Sequence, residues 1–439
     1  MADNKSDEAW RKLIEKYDIV EHVSQDGFFE IRAKQIKEFR EPRLMAKWDS
    51  SEDLPKSLRS SNLNILPVSR SSYTISDYDL YKSFPSKPAN DLVYVPTKPY
   101  ESIDFDQPYE SIDFDHLTSE SNAINAMSAT GILDMFLDVP MGTTVETFNG
   151  RMGTGAFSFN VNHLGGGSST IRVNSAQLEI DGGFENDDSV IIMEAKNVPH
   201  PDFHVRQLYF PYRLWLNKVH KPIRLVFSQY VDSIYHLFEY EFADPDDYSS
   251  IRLVQQCDYT FQSSRITWND LHEIWGNTSP TTDDNQEEVD TPFVQADTFT
   301  NVITLMQRLD QEKSMNAAEI AGYMEFDPRQ ANYYSAAGEY LGVFERTPSG
   351  GVSLSREGRQ IMALHVRERR LAIVELIFKH EIFHYFFGLM YGNGELPSKA
   401  DIIERMSLHN ICNEGSTMNR RASSVLGWLR WIVSLVDEE

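Results

Sequence analysis

The sequence predicts a mixed α/β core followed by a mainly helical C-terminal domain, and three features carry that prediction. Between residues 175 and 197 apolar and polar side chains alternate with the period-two spacing of half-buried strands, then give way to the apolar run Val190-Ile-Ile-Met193. Residues 223–242 are rich in the β-branched and aromatic types that suit further strands of the same sheet. From Phe299 onward apolar residues recur at helical spacing. A chain of 439 residues is long for one core, and its composition divides it into four parts. These are an N-terminal α+β region (1–98), a central core (99–276), an acidic linker (277–297) and a C-terminal domain (298–439).

Along the first part, residues 8–17 read as a helix, residues 19–31 as a short β excursion around Asp26-Gly27, and residues 62–75 as two short strands. Residues 34–48 carry five basic side chains with aromatics interleaved. That pattern suits a solvated helix face, or a track for a phosphate backbone with Arg40, Arg43 and Lys47 as its contacts. Tyr100-Glu-Ser-Ile-Asp-Phe-Asp106 recurs as Tyr109-Glu-Ser-Ile-Asp-Phe-Asp115, and two copies mark a local duplication rather than a solenoid. Residues 116–137 read as one helix, with Glu120 near its start. Asn149-Gly-Arg-Met-Gly-Thr-Gly155 predicts a tight turn, and its spacing matches neither a P-loop nor a dinucleotide fingerprint.

Composition narrows the function. Two cysteines without metal-ligand spacing fit a reducing cytoplasm and argue against a thiolate zinc site. No apolar run approaches the roughly 18 residues of a membrane span, and the opening residues lack a signal peptide's pattern, so the expectation is a soluble cytoplasmic protein. The net charge of -25 opposes non-specific nucleic-acid binding, because phosphate contacts need Lys and Arg. The acid is concentrated, however. Residues 100–120 and 283–297 carry seven and six acidic residues and no Lys or Arg, whereas from Arg329 onward thirteen basic residues balance thirteen acidic ones. Such a distribution is compatible with selective DNA binding.

The chemistry concentrates at residues 177–197. Gln177-Leu-Glu-Ile-Asp181 is a strand with Asp181 at its end, Gly182-Gly183 supplies freedom for a turn, and in the strand that follows Glu194 and Lys196 share one face while Ala195 takes the other. Two carboxylates beside a lysine suit Mg²⁺, which takes carboxylate oxygens while keeping waters and a substrate phosphate oxygen. The lysine can orient a water and offset charge growing on a phosphorane-like transition state. Residues 202–216 read as an amphipathic segment with Phe203, Leu208, Tyr212 and Trp215 on its apolar face and a bend at Pro211. Asp181 followed by Glu194-Ala195-Lys196 resembles the PD-(D/E)XK nuclease site. The resemblance implies a mixed-sheet nuclease core, Mg²⁺-dependent hydrolysis of DNA, and a Gln on the following helix that touches the site, matched here by Gln207. Glu146 and Glu179 are candidate supporting acids, and Arg151 a candidate phosphate contact.

In the C-terminal part, residues 299–309, 316–324 and 328–341 read as three helices, with Asp327 as N-cap and Pro328 at the first helical position. Residues 343–354 follow as a hairpin with a Gly-Gly tip. That order resembles a winged helix-turn-helix. Its groove-facing candidates are Arg329, Gln330, Asn332 and Tyr333, since Arg suits guanine and Asn or Gln suits adenine. Residues 398–406 and 416–432 predict a second such unit, with Asn419, Arg420, Arg421 and Ser424 near a helix end that can meet phosphate. His380-Glu-Ile-Phe-His384 formally matches the HExxH zinc pattern, with Glu404 downstream, but its apolar setting favours core histidines.

The N-terminal wording, Arg-Glu-Pro-Arg-Leu-Met and the strands of residues 62–75, resembles certain type II restriction endonucleases over most of the first 95 residues. The expectation is therefore a type II restriction endonuclease acting on double-stranded DNA in a bacterial or archaeal cytoplasm. A homodimer would match a two-fold site, and a cognate DNA methyltransferase would be the genetic companion. The alternatives are a DNA-binding regulator with an inactive nuclease-like core and a repair or recombination nuclease.

Overall fold

The computed structural model describes residues 5–85, 92–97, 109–261, 266–281, 293–324, 328–409 and 416–436. The first copy of the duplicated heptapeptide, most of the acidic linker and the Asp327 cap lie outside them.

The N-terminal unit has its own core, in which Trp10, Leu13, Ile31, Ile36, Leu58 and Ile75 pack between helices and a three-stranded antiparallel sheet. That sheet runs in the order Phe29–Arg32, Ser72–Ser76, Asn64–Pro67. Residues 19–26 correct the sequence reading, because Ile19–Asp26 is a helix and only Phe29–Arg32 is a strand. Gly27 at φ 83° ends the helix by donating to the Val23 carbonyl, so Asp26-Gly27 is a helix terminus and not the centre of a β excursion. Residues 34–48 form only the short helix Ala33–Ile36 and a 3₁₀ turn at Pro42–Leu44.

The central sheet has seven strands in the spatial order Leu92–Tyr94, Ile251–Thr260, Ile234–Phe242, Ile223–Val231, Val190–Lys196, Gln177–Glu185, Val145–Gly153. Val190–Lys196 pairs antiparallel with Gln177–Glu185 and parallel with Ile223–Val231. Parallel neighbours require a crossover, and the helix Arg206–Trp215 lies within it. Ile191, Met193 and Ala195 point to a cluster shared with helices Glu120–Thr130 and Ile132–Leu137, while Ile192 joins Leu208, Phe210 and Phe227 on the other face. Burial on both faces explains the unbroken apolar run at Val190 to Met193.

Three local readings change here. Gly182-Gly183 is not a turn: the strand runs on to Glu185, and Asn186 and Ser189 close the hairpin. Those glycines leave room for aromatic rings, since a Cβ on Gly183 would stand 2.2 Å from the Phe148 ring and 2.5 Å from the Phe148 carbonyl oxygen. The helix expected at 116–137 is broken in two by Gly131 at φ 74°. The turn expected at 149–155 is mostly strand, irregular in register at Gly150, with the reversal after Gly153.

The C-terminal core gathers Phe299, Val302, Leu309, Ile320, Ala337, Phe383, Val425 and Trp428. Helices Phe299–Glu312, Ala317–Tyr323 and Pro328–Tyr340 precede a hairpin of Phe344–Arg346 and Val352–Leu354, with Met315 bridged to Val352. Helix Trp268–Asn277, placed by sequence in the central part, contributes Leu271 to this core. Around helices Lys399–Leu408 and Ser416–Ser434, where a second winged-helix unit is expected, there is no hairpin among the described residues, and residues 410–415 lie outside them. Val425, Trp428 and Leu429 pack into the same core as helix Phe299–Glu312. A buried clasp joins this domain to the central sheet. Asp232, in the tight turn between two sheet strands, accepts from Arg370 Nε and Trp431 Nε1, each at 3.3 Å. No described helix is long and apolar enough to cross a membrane.

Candidate active site

The strands carrying Asp181 and Glu194 pair regularly up to Gly182 opposite Met193. Beyond that point the Asp181 carboxylate replaces the ladder, Oδ2 accepting the Ala195 amide at 3.0 Å. This contact fixes Asp181 beside the next two residues on the neighbouring strand. Glu194 Oε1 accepts from Gln207 Nε2 at 2.5 Å and stands 3.3 Å from Lys196 Nζ. Gln207 reaches it from the first turn of the crossover helix. The structure therefore brings Asp181, Glu194, Lys196 and Gln207 together where the ladder between two adjacent strands ends.

Two further acids complete the cluster. Lys196 Nζ lies 3.3 Å from Asp49 Oδ2 and 3.6 Å from Glu120 Oε1. Glu120 stands in the first turn of a helix capped by Ser119, a favoured place for a carboxylate. Sequence reading noted Glu120 only as a helix start and missed Asp49. Asp49 comes from the N-terminal unit through a loop with no motif. Its one local signal is the Ser50-Ser51 pair, which Asp202 binds: Oδ1 accepts Ser50 Oγ at 2.7 Å and the Ser51 amide at 2.8 Å, and Oδ2 accepts Ser51 Oγ. The His204 amide also donates to the Asp49 carbonyl at 2.8 Å.

The electrostatics are those of a site short of positive charge. Burial pushes the Glu194 carboxyl well above the usual range, and the Asp181 charge adds to it while Lys196 opposes it. Burial also raises Asp181, against the pull of Lys196. At Asp49 burial acts in the same sense, but Lys196, Lys47 and Arg206 together overcome it and hold that carboxyl below the usual range. A divalent cation fits this donor set. After the contacts above, Asp181 Oδ1 and Glu194 Oε2 remain for it, and both carboxyls would be relieved by its charge. Among the described residues no group of three or more His, Cys, Asp or Glu is arranged to hold a metal ion. A two-carboxylate holder suits Mg²⁺, which keeps several waters.

The other sequence candidates lie elsewhere. Glu179 and Arg151 face each other across adjacent strands and pair with each other at 3.1 Å on an exposed surface. Glu146 sits opposite Phe184 and accepts from Asn149 Nδ2 at 2.7 Å, so it does not converge on Asp181. Arg40 is a strut within the N-terminal unit, donating to Ser6 Oγ at 2.7 Å, whereas Arg43 is exposed. Arg329, Gln330 and Asn332 are exposed on helix Pro328–Tyr340, with Tyr333 half-buried. Asn419 and Arg420 are exposed on helix Ser416–Ser434, and Arg421 is half-buried. The HExxH residues serve packing. His384 Nε2 lies 3.0 Å from the Trp275 carbonyl oxygen, the His380 ring stacks on Tyr340 at 3.9 Å, Glu381 pairs with Arg405, and Glu404 is exposed.

Comparison with known families returns three matches, each described as a domain of unknown function: DUF6996 over residues 7–75, DUF6997 over 76–260 and DUF7226 over 301–437. No curated protein and no solved structure matches the chain.

Proposed function

We propose that the chain is a Mg²⁺-dependent endonuclease that hydrolyses phosphodiester bonds in double-stranded DNA at a specific sequence, a type II restriction endonuclease in kind. One observation carries the reading: Asp181, Glu194 and Lys196 meet where the ladder between two neighbouring strands ends, with Gln207 of the next helix on Glu194. That is the order and the set of contacts that the PD-(D/E)XK resemblance implies. Asp181 and Glu194 would hold Mg²⁺, which when bound acts as a Lewis acid on a phosphoryl oxygen. Gln207 fixes the Glu194 carboxylate, and the Lys196 amine orients the attacking water and offsets charge on the phosphate.

The C-terminal domain supports sequence reading of the DNA. Three helices and a hairpin follow in the order of a winged helix-turn-helix, with Arg329, Gln330 and Asn332 exposed on the third helix. A cytoplasmic homodimer cutting a two-fold site, with a DNA methyltransferase as companion, belongs to the same proposal.

One observation favours a DNA-binding regulator with an inactive core instead: Lys196 is buried among three carboxylates, as a purely structural cluster would be. Incubating a broad panel of plasmids with Mg²⁺ separates the two. The enzyme gives wild-type cleavage that is lost in Lys196→Ala, while the regulator leaves every plasmid intact with both proteins.

A further inference from the structure

The loop at residues 48–51 leaves the N-terminal unit and enters the carboxylate cluster of the central sheet. Three donors from Ser50 and Ser51 converge on Asp202, and the His204 amide holds the Asp49 carbonyl, so the loop is fastened to the segment that leads into the Gln207 helix. Asp49 is only 6% exposed. Its Oδ2 faces Lys196 Nζ at 3.3 Å, with the exposed Lys47 ammonium 3.8 Å away, while its buried Oδ1 has no hydrogen-bond partner. Gln207 Oε1 is a second buried acceptor at the cluster that lacks a donor. Buried acceptors are seldom left unsatisfied, and two of them beside one ammonium mark a place where donors from outside the chain, water first, are received.

We propose that Asp49 is a positioning residue of the active site, with Oδ2 fixing the Lys196 ammonium and Oδ1, together with Gln207 Oε1, accepting from water that enters with the substrate. The N-terminal unit then completes the catalytic centre. This rests on the nuclease reading. Neutralising Lys196 does not by itself call for Asp49, since Glu194 and Glu120 already contact the amine. What Asp49 adds is rigidity, because its loop is held before the carboxylate, where the Tyr81 hydroxyl donates to the Trp48 carbonyl at 3.2 Å, and after it, where Asp202 holds Ser50 and Ser51. Displacing a catalytic amine by about 1 Å is enough to slow a reaction by about two orders of magnitude.

The test uses the full-length chain and Asp49→Asn, which keeps the shape and removes the charge. Cleavage of a plasmid substrate should slow by about tenfold or more in kcat, with KM for DNA and Ca²⁺ affinity by calorimetry within about twofold of wild type. A variant that cuts at the wild-type rate, or whose defect lies in KM alone, overturns the proposal. An activity-independent readout is the urea midpoint. Asp49→Asn should lower it in the wild-type background but leave it unchanged or raise it in Lys196→Ala, where Asp49 has lost the amine it holds. Equal lowering in both backgrounds means that Asp49 is a general structural residue and refutes the idea. Should Asp49→Asn fail to fold, Ser51→Ala loosens the loop without touching the charge and should slow kcat in the same direction. Wild-type protein that cuts no DNA overturns the nuclease reading and the catalytic half of this proposal, while the midpoint cycle still decides whether Asp49 holds Lys196.

Discussion

Replacing Lys196 with alanine removes an ammonium that contacts three carboxylates, and the burial of its partners sets the size of the effect. The side chains of Asp49 and Glu194 are 4% and 9% exposed, so losing the amine leaves buried negative charge uncompensated. Breaking a buried pair in this way costs about 3–5 kcal/mol. Glu120, 40% exposed, adds little, because water can screen it. The penalty should depend on pH with a definite sign. Burial holds Glu194 above its ordinary 4.5, so the folded protein binds a proton there more readily than the unfolded chain does. The cost of its charge is therefore present above the folded pKa and is relieved as pH falls through that value towards 4.5. Lys196→Ala should unfold at much lower urea than wild type at pH 8, and the gap should narrow at pH 5. Mg²⁺ at a hundred times its Kd should restore about 2.7 kcal/mol to any variant that still binds it. Equal midpoints for the two proteins at pH 8 without Mg²⁺ would refute the idea that the amine compensates the cluster.

Other contacts lead to their own expectations. Gln207→Ala should lower Mg²⁺ affinity or cleavage by about ten- to a hundredfold by releasing Glu194, measured by calorimetry and plasmid cutting; unchanged values would remove Gln207 from the site. Gly183→Ala forces a Cβ against Phe148 and should cost about 1–3 kcal/mol in urea unfolding, whereas Gly276→Ala, where a Cβ meets open space, should cost far less. Asp232→Ala removes the carboxylate that accepts from Arg370 and Trp431 while the Arg370 bond to the carbonyl of residue 232 survives, and should cost about 1.5–3 kcal/mol at the junction of the central and C-terminal cores, seen as faster protease cleavage between them.

Much of the central site is readable from local pattern because a strand's two-residue period dictates its faces. Glu194 and Lys196 had to point together and Ala195 away, and the burial of Ala195 against helix Glu120–Thr130 agrees. The helix read at residues 316–324 is likewise present, opened by a capping box of Asn316 and Glu319. What local pattern does not encode is register and distant contact. Glu179 meets Arg151 only because the edge strand slips at Gly150, and no feature of either segment specifies that slip. Glycine has several uses, so Gly182-Gly183 reads as a turn when it is a seat for Phe148 and Phe184, and Asp26-Gly27 reads as the centre of a β excursion when Gly27 ends a helix. Asp49 has no signal in its own segment beyond the Ser50-Ser51 pair. It reaches Lys196 through a clasp to Asp202, a contact between residues far apart in the chain and unmarked by any spacing.

The most direct measurement is plasmid cleavage in Mg²⁺ by wild type, Lys196→Ala and Glu194→Ala, with the ends of any products sequenced. The account requires double-strand breaks at one recurring sequence with wild type and none with either variant. Supercoiled DNA left intact by all three proteins, or cutting that survives both substitutions, would contradict it.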